Sequence, residues 1–199
     1  MPRGLDYAGG RPSGAAIRAA GYDFVCRYLT DGGTSLPGKQ LLPDEVNDLV
    51  ANAVGIVANF ETYADRMLEG RQAGIDDATF ALARLRQLPH TPSAPVVYYS
   101  ADFDTTPEQQ NAVNDYLRGA ASVHGSVATV GVYGGFWTVS RALDAGVATY
   151  AWQTQAWSGT NVDPRIALLQ RNDVGYVSVD GVQCDVDETR RDDYGKWPA

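Results

Sequence analysis

Apolar residues along this chain follow two spacings. Short β-rich runs at Gly4 to Asp6, Phe24 to Leu29, Val54 to Glu61, Pro95 to Asp102 and Thr129 to Gly134 predict strands. Between them, apolar positions recur every three to four residues: Val46, Leu49, Val50 and Ala53; Ala78, Ala81, Leu82 and Leu85; Val113, Tyr116, Leu117 and Ala120. Each set lays one apolar stripe along a helix, and that stripe covers a sheet. Thr106-Pro107-Glu108-Gln109 has the composition of a capping box with a first-turn proline, so a helix is expected to start there. A further helix is expected over Phe136 to Ala145, with Gly146 as its stop.

After Gly146 the helical period disappears. Strands are expected at Ala148 to Gln155, Ile166 to Arg171 and Gly181 to Asp187, separated by segments rich in Gly, Asn, Asp and Ser. Eight strands with helices after only the first five predict an α/β fold, a TIM-like barrel of mainly parallel strands and (β/α)5(β)3 type. The absent helices explain a length of 199 residues against the roughly 250 of an ordinary (β/α)8 barrel. Residues 1–188 are expected to form the barrel domain and residues 189–199 a polar C-terminal tail or linker, with Asp187 and Glu188 on solvated surface where the tail begins.

In such a barrel, chemistry sits at the C-terminal strand ends. Asp6, Glu61, Asp102 with Asp104 just beyond, and Asp185 with Asp187 all fall at expected strand ends, so acids converge on one rim. Several carboxylates in one cleft suit glycoside hydrolysis, in which one protonated acid donates to the leaving oxygen and another stabilises or attacks the anomeric centre. Asp102 and Asp104 share a face if the strand continues, and their mutual repulsion would raise one pKa. Asp104 also precedes the expected helix start, whose dipole favours its ionised form. Glu61, beside Phe60 and Tyr63, is the rival acid. Tyr7, Tyr28, Tyr63, Phe103, Tyr133, Trp137, Trp152 and Trp157 are expected near the same rim, where flat rings make platforms for sugar faces.

Composition narrows the alternatives. A formal charge of -8 gives no footprint for nucleic acid or an anionic membrane. Two cysteines, Cys26 and Cys184, and two histidines, His90 and His124, rule out a disulfide-dense scaffold and a three-histidine metal centre, so no metal or cofactor is expected. No apolar run approaches the roughly 20 residues of a membrane span, and no signal-peptide core follows Met1. Action outside the cell would then require separate release, as for a phage-encoded protein, or prior removal of a leader.

Gly4-Leu5-Asp6, Phe24 to Leu29, the strand ending at Glu61, Val97 to Asp104, Gly131-Val132-Tyr133-Gly134, Trp152-Gln153-Thr154 and Asp185 together resemble the glycoside-hydrolase-like domain-of-unknown-function family 1906. That family is itself similar to the family 25 lysozymes, muramidases of bacteria and their phages. The resemblance implies a barrel with five helices and a helix-poor end. It also implies hydrolysis of a bacterial cell-wall polysaccharide, peptidoglycan first among them. A protein at -8 is not steered toward an anionic wall, a tension that a separate wall-binding domain as partner would resolve. Asp102, Asp104, Glu61, Asp6 and Asp185 are the expected catalytic set. Arg27, Tyr28, Tyr63, Tyr133, Trp152 and Gln153 are the expected substrate-binding set. In those lysozymes the fourth strand carries Asp-x-Glu, the glutamate acting as acid; here Asp104 stands at the glutamate's position. The shorter side chain would displace the carboxyl by more than about an ångström, a shift large enough to cost catalysis. The alternative is a catalytically silent glycan-binding or virion structural module on the same barrel.

Overall fold

The computed structural model describes residues 1–198. Its elements in chain order are β1 (Arg3–Asp6), α1 (Gly14–Ala19), β2 (Phe24–Tyr28), α2 (Pro43–Ala51), β3 (Gly55–Phe60), α3 (Gly70–Leu85) and β4 (Val97–Ser100). There follow α4 (Gln110–His124), β5 (Val130–Gly134), α5 (Phe136–Asp144), β6 (Tyr150–Thr154), β7 (Leu168–Gln170), β8 (Val177–Val179) and β9 (Val182–Thr189). Strands β1 to β7 are parallel neighbours, and β9 pairs antiparallel with both β7 and β1, which closes an eight-stranded barrel. The expected TIM-like barrel, with one helix after each of the first five strands, is what forms.

The last quarter differs from expectation in direction. A ninth strand, β8, forms a hairpin with β9 outside the ring. Its turn, Asp180-Gly181, has φ of 49° and 75°, the left-handed pair that a two-residue hairpin turn requires. The hairpin begins at the rim, so β9 must run down the barrel wall. Antiparallel entry of β9 needs no crossover helix, whereas the parallel step from β6 to β7 is made by a loop, residues 155–167, without a helix. Asp185 therefore lies inside a strand opposite Asp6, and Asp187 lies one layer deeper opposite Gly4.

Alternation divides the apolar residues into two cores. Outward residues such as Leu5, Val25, Ile56, Val97, Tyr99 and Val132 pack under the helices. Inward residues, among them Phe24, Cys26, Val57, Tyr98, Trp152 and Leu168, fill the barrel. Both faces of β3 are thus buried, which accounts for its consecutive apolar residues Ile56, Val57 and Ala58.

Helices α3 and α4 approach closely through two glycines. A Cβ on Gly119 would lie 2.2 Å from the Arg71 carbonyl oxygen, and one on Gly74 would lie 1.9 Å from that of Tyr116. Gly119→Ala is expected to force the helices apart and destabilise the protein by roughly 1–3 kcal/mol. A fall in urea midpoint at constant m-value is the readout.

Residues expected to leave as a polar tail fold back instead. The foot of the barrel presents Phe24, Tyr98 and Tyr150, and the tail's aromatic residues cover it. The Tyr194 ring lies 4.9 Å from that of Phe24, and the Tyr98 hydroxyl donates to the Tyr194 carbonyl at 2.9 Å. Trp197 is buried and exchanges two backbone hydrogen bonds with Ile56.

Candidate active site

The C-terminal ends of the parallel strands open into a cleft of about 370 Å³. Four carboxyl groups from four positions around the ring line it: Asp6, Glu61, Asp102 and Asp185. Two-residue alternation explains three of them. Gly4 and Asp6, Asn59 and Glu61, and Ser100 and Asp102 each continue the inward side of a strand past or up to its last residue. Strand β4 itself stops at Ser100, earlier than expected, because the Asp102 amide bonds the Ala64 carbonyl at 3.0 Å in the loop after β3. Asp102 is thereby pinned at the rim by its backbone. Asp185 arrives from the opposite direction on β9.

The floor carries a directed hydrogen-bond chain. The Tyr133 hydroxyl donates to Gln170 Oε1 at 2.9 Å, which turns the amide so that Nε2 donates to Asp6 Oδ2 at 2.8 Å. Burial, then the Asp185 charge, pushes Asp6 up to about 7, with the Gln170 donor opposing. Burial chiefly raises Asp102, helped by the Glu61 charge and opposed by Lys39. Burial also raises Asp185. Glu61 is placed differently, since Lys39 Nζ lies 3.0 Å from its Oε1. Its carbonyl accepts from Thr30 Oγ1.

Lys39 comes from the loop between β2 and α2, and its ammonium also sits 5.0 Å from the Tyr28 ring centroid. Sequence pattern gave no sign of it, nor of Gln170. At the mouth, Trp157 and Tyr176 line the cleft with 38% and 69% of their surface exposed. Trp157 was expected at the rim. Tyr176 was not, because it rides on the unanticipated hairpin.

Several expected site residues lie elsewhere. Asp104 is exposed and does not line the cleft: the chain has left the strand, and helix α4 begins only at Gln110. Thr106 and Gln109 do exchange backbone-to-side-chain bonds at 3.0 and 3.4 Å, one turn before that helix. Arg27 is on the outward side of β2 and fully buried against Glu45, with Nε 2.7 Å from Oε1. Tyr63 stands on the outer surface with Arg66 and Glu69. Gln153 also faces outward and ties down the loop after β6, donating to the Asn161 carbonyl at 2.8 Å and accepting from the Asp163 amide at 3.0 Å. Trp152 faces inward but below the cleft, its indole donating to Asp187 Oδ1 at 2.8 Å. Asp187, expected on solvated surface, is fully buried. Tyr28 and Tyr133 do line the cleft. Among the described residues, no group of three or more His, Cys, Asp or Glu side chains is arranged to hold a metal ion. No described helix is long and apolar enough to cross a membrane.

A parallel-strand barrel closed by one reversed strand, with acids gathered at one rim, is the architecture of a glycoside-hydrolase-like domain. The chain belongs to the Rv2525c-like, glycoside hydrolase-like domain family, whose pattern matches residues 15–189. It is 32% identical to the Mycobacterium tuberculosis protein named "Putative peptidoglycan hydrolase Rv2525c", over 97% of this chain and 82% of that protein. The crystal structure of the Tat-secreted Rv2525c in complex with L-tartrate superposes with a TM-score of 0.92 at 29% identity, covering 100% of both chains. A family 25 glycosyl hydrolase from Bacillus anthracis shares the fold, with a TM-score of 0.58 at 11% identity over 98% of this chain and 94% of that one.

Proposed function

We propose that the cleft hydrolyses a glycosidic bond in a bacterial cell-wall polysaccharide, with peptidoglycan the first substrate to test. The observation that carries this reading is the convergence of Asp6, Glu61, Asp102 and Asp185 on one open, aromatic-edged cleft. Asp102 is the proton donor: half-buried among acids, it keeps its proton to a higher pH than an ordinary aspartate. Asp6 and Asp185 supply the opposing carboxylate that stabilises or attacks the anomeric centre, or activates water. Glu61, paired with Lys39, adds negative charge near the developing oxocarbenium ion. Trp157 and Tyr176 serve as platforms for the flanking sugars. The relationship to the mycobacterial protein supports action outside the cell on the wall. A chain of net charge -8 is not steered towards an anionic wall, which leaves a role for a separate wall-binding domain. Purified walls incubated with the protein should release reducing ends, and no release across a broad pH screen would overturn the proposal.

One observation favours a second reading, a glycan-binding module without turnover. Asp104, at the position of the lysozyme acid, is exposed and outside the cleft. Glycan binding that persists in Asp102→Asn and Glu61→Gln, with no turnover in the parent, would select this reading.

Lys39 provides a pH test of the enzyme reading. Its positive charge favours ionised Asp102, so Lys39→Met removes a charge that lowers the acid's pKa. Asp102 then stays protonated to higher pH. The limb of the kcat/KM profile on which activity falls with rising pH should move to more alkaline values.

A further inference from the structure

We propose that Asp187 carries a proton beneath the cleft floor and donates it to the carboxylate of Asp6, acting as a positioning residue for that acid. The inference rests on the reading of Asp6 as part of the working acid cluster.

The geometry leaves few alternatives. Asp187 is 0% exposed, on the inward side of β9, one layer below Asp185. Its register partner on β1 is Gly4, which has no side chain, and the Phe24 ring occupies the space where a Cβ would stand. The Asp187 carboxyl therefore has Asp6, the next inward residue of β1, as its diagonal neighbour across the pair. One oxygen, Oδ1, is satisfied by the Trp152 indole at 2.8 Å. The other, Oδ2, is buried and reached by no N–H or O–H of the protein. The register leaves the Asp6 carboxyl as the side-chain group beside that of Asp187, close enough for each to influence the other's protonation. Two ionised carboxylates cannot hydrogen-bond, and a buried acceptor without a donor is destabilising, more so when charged. A proton on Oδ2 resolves both problems. It turns the orphan acceptor into a donor aimed at Asp6.

The charged and titratable groups around the pair agree. From β1 Asp187 faces Asp6, from its own strand Asp185, and from β2 the Cys26 thiol, itself pushed up by burial. Trp152 on β6 and Gln170 on β7 are neutral. No cation is among these neighbours, and burial with the Asp6 charge holds Asp187 well above the usual carboxylate range. When Asp6 ionises, Asp187 keeps its proton. Asp6 then holds two donors, Gln170 Nε2 from one side and Asp187 from below, so its carboxylate is fixed in orientation.

Carboxyl-carbon NMR of the intact protein, titrated from about pH 4 to about pH 8, reads the two groups without requiring turnover. The Asp187 signal should stay at its protonated position throughout, while Asp6 titrates alone. Asp187→Asn keeps an N–H donor towards Asp6 and an acceptor for Trp152, so the Asp6 midpoint should move by less than about one unit. Asp187→Leu removes the donor and should raise the Asp6 midpoint by more than that. An Asp187 signal already ionised near neutral pH would overturn the proposal. So would an Asn variant that displaces Asp6 as far as the Leu variant does. If walls are not cleaved but these titrations behave as stated, the hydrolase reading fails while the proton assignment stands.

Discussion

Replacing Asp102 by asparagine is expected to lower the rate of glycan hydrolysis by about 10²- to 10⁴-fold, the range contributed by a positioned general acid. The loss should fall on kcat more than on KM, since proton donation to the leaving oxygen is realised in the transition state and not on binding. The fold should survive. The Asp102 backbone is held by the Ala64 carbonyl, an interaction that asparagine keeps, and the substitution removes a carboxyl whose charged form burial already penalises. Thermal unfolding of Asp102→Asn should thus match or exceed that of the parent near neutral pH. Asp104→Asn supplies the contrast. That side chain is exposed outside the cleft, so its removal should leave hydrolysis within about threefold of the parent and stability within about 0.5 kcal/mol. If Asp104→Asn abolished turnover while Asp102→Asn did not, the assignment of the acid would have to be reversed.

That contrast shows how far local pattern reaches. Strand ends could be read because inward apolar positions stop where the barrel opens, and alternation then carries Asp6, Glu61 and Asp102 into the cleft. Asp104 fails the same rule because alternation lapses once β4 ends at Ser100, a break set by the distant Ala64 carbonyl. Outward and inward positions of a strand are equally buried in a barrel covered by helices, so Arg27 and Gln153 could not be told from site residues by polarity at a strand end. Register decides their side. Lys39 and Gln170 reach the acids from a loop and from a three-residue strand, through partners remote in sequence. The hairpin was legible in principle: Asp180-Gly181 is a strong two-residue turn signal, and recognising it would have reversed β9 and brought Tyr176 to the mouth. The aromatic residues Tyr194 and Trp197 likewise mark the final segment as covering something apolar. Their burial against Phe24 and Ile56 bears this out.

Arg27 should prove to be a stability residue instead of a sugar contact. Its guanidinium is fully buried and spends its donors within the protein: Nε and Nη2 on Glu45 at 2.7 and 3.2 Å, Nη1 on the Tyr7 carbonyl and Nη2 on the Gly38 carbonyl, both at 2.6 Å. It also lies 4.2 Å from the Tyr7 ring centroid. Removing one member of such a pair leaves buried acceptors without donors, so Arg27→Met is expected to cost about 3–5 kcal/mol in denaturant unfolding. Glu45 retains the Tyr7 hydroxyl at 3.1 Å and Arg11 at 3.3 Å, which favours the lower end of that range. Arg27→Lys should recover only part of the loss, because a point ammonium cannot reproduce the forked geometry. Replacing both partners, Arg27→Met with Glu45→Leu, should be milder than either single change, since no buried charge is then left without its counterion. Folded Arg27→Met should also lose activity through kcat and not chiefly through KM. Gly38 anchors the loop that delivers Lys39 to Glu61, so loosening it misplaces a charge within the acid cluster, while no sugar contact is removed. A variant of unchanged stability with a raised KM would return Arg27 to the substrate-binding role expected from its strand.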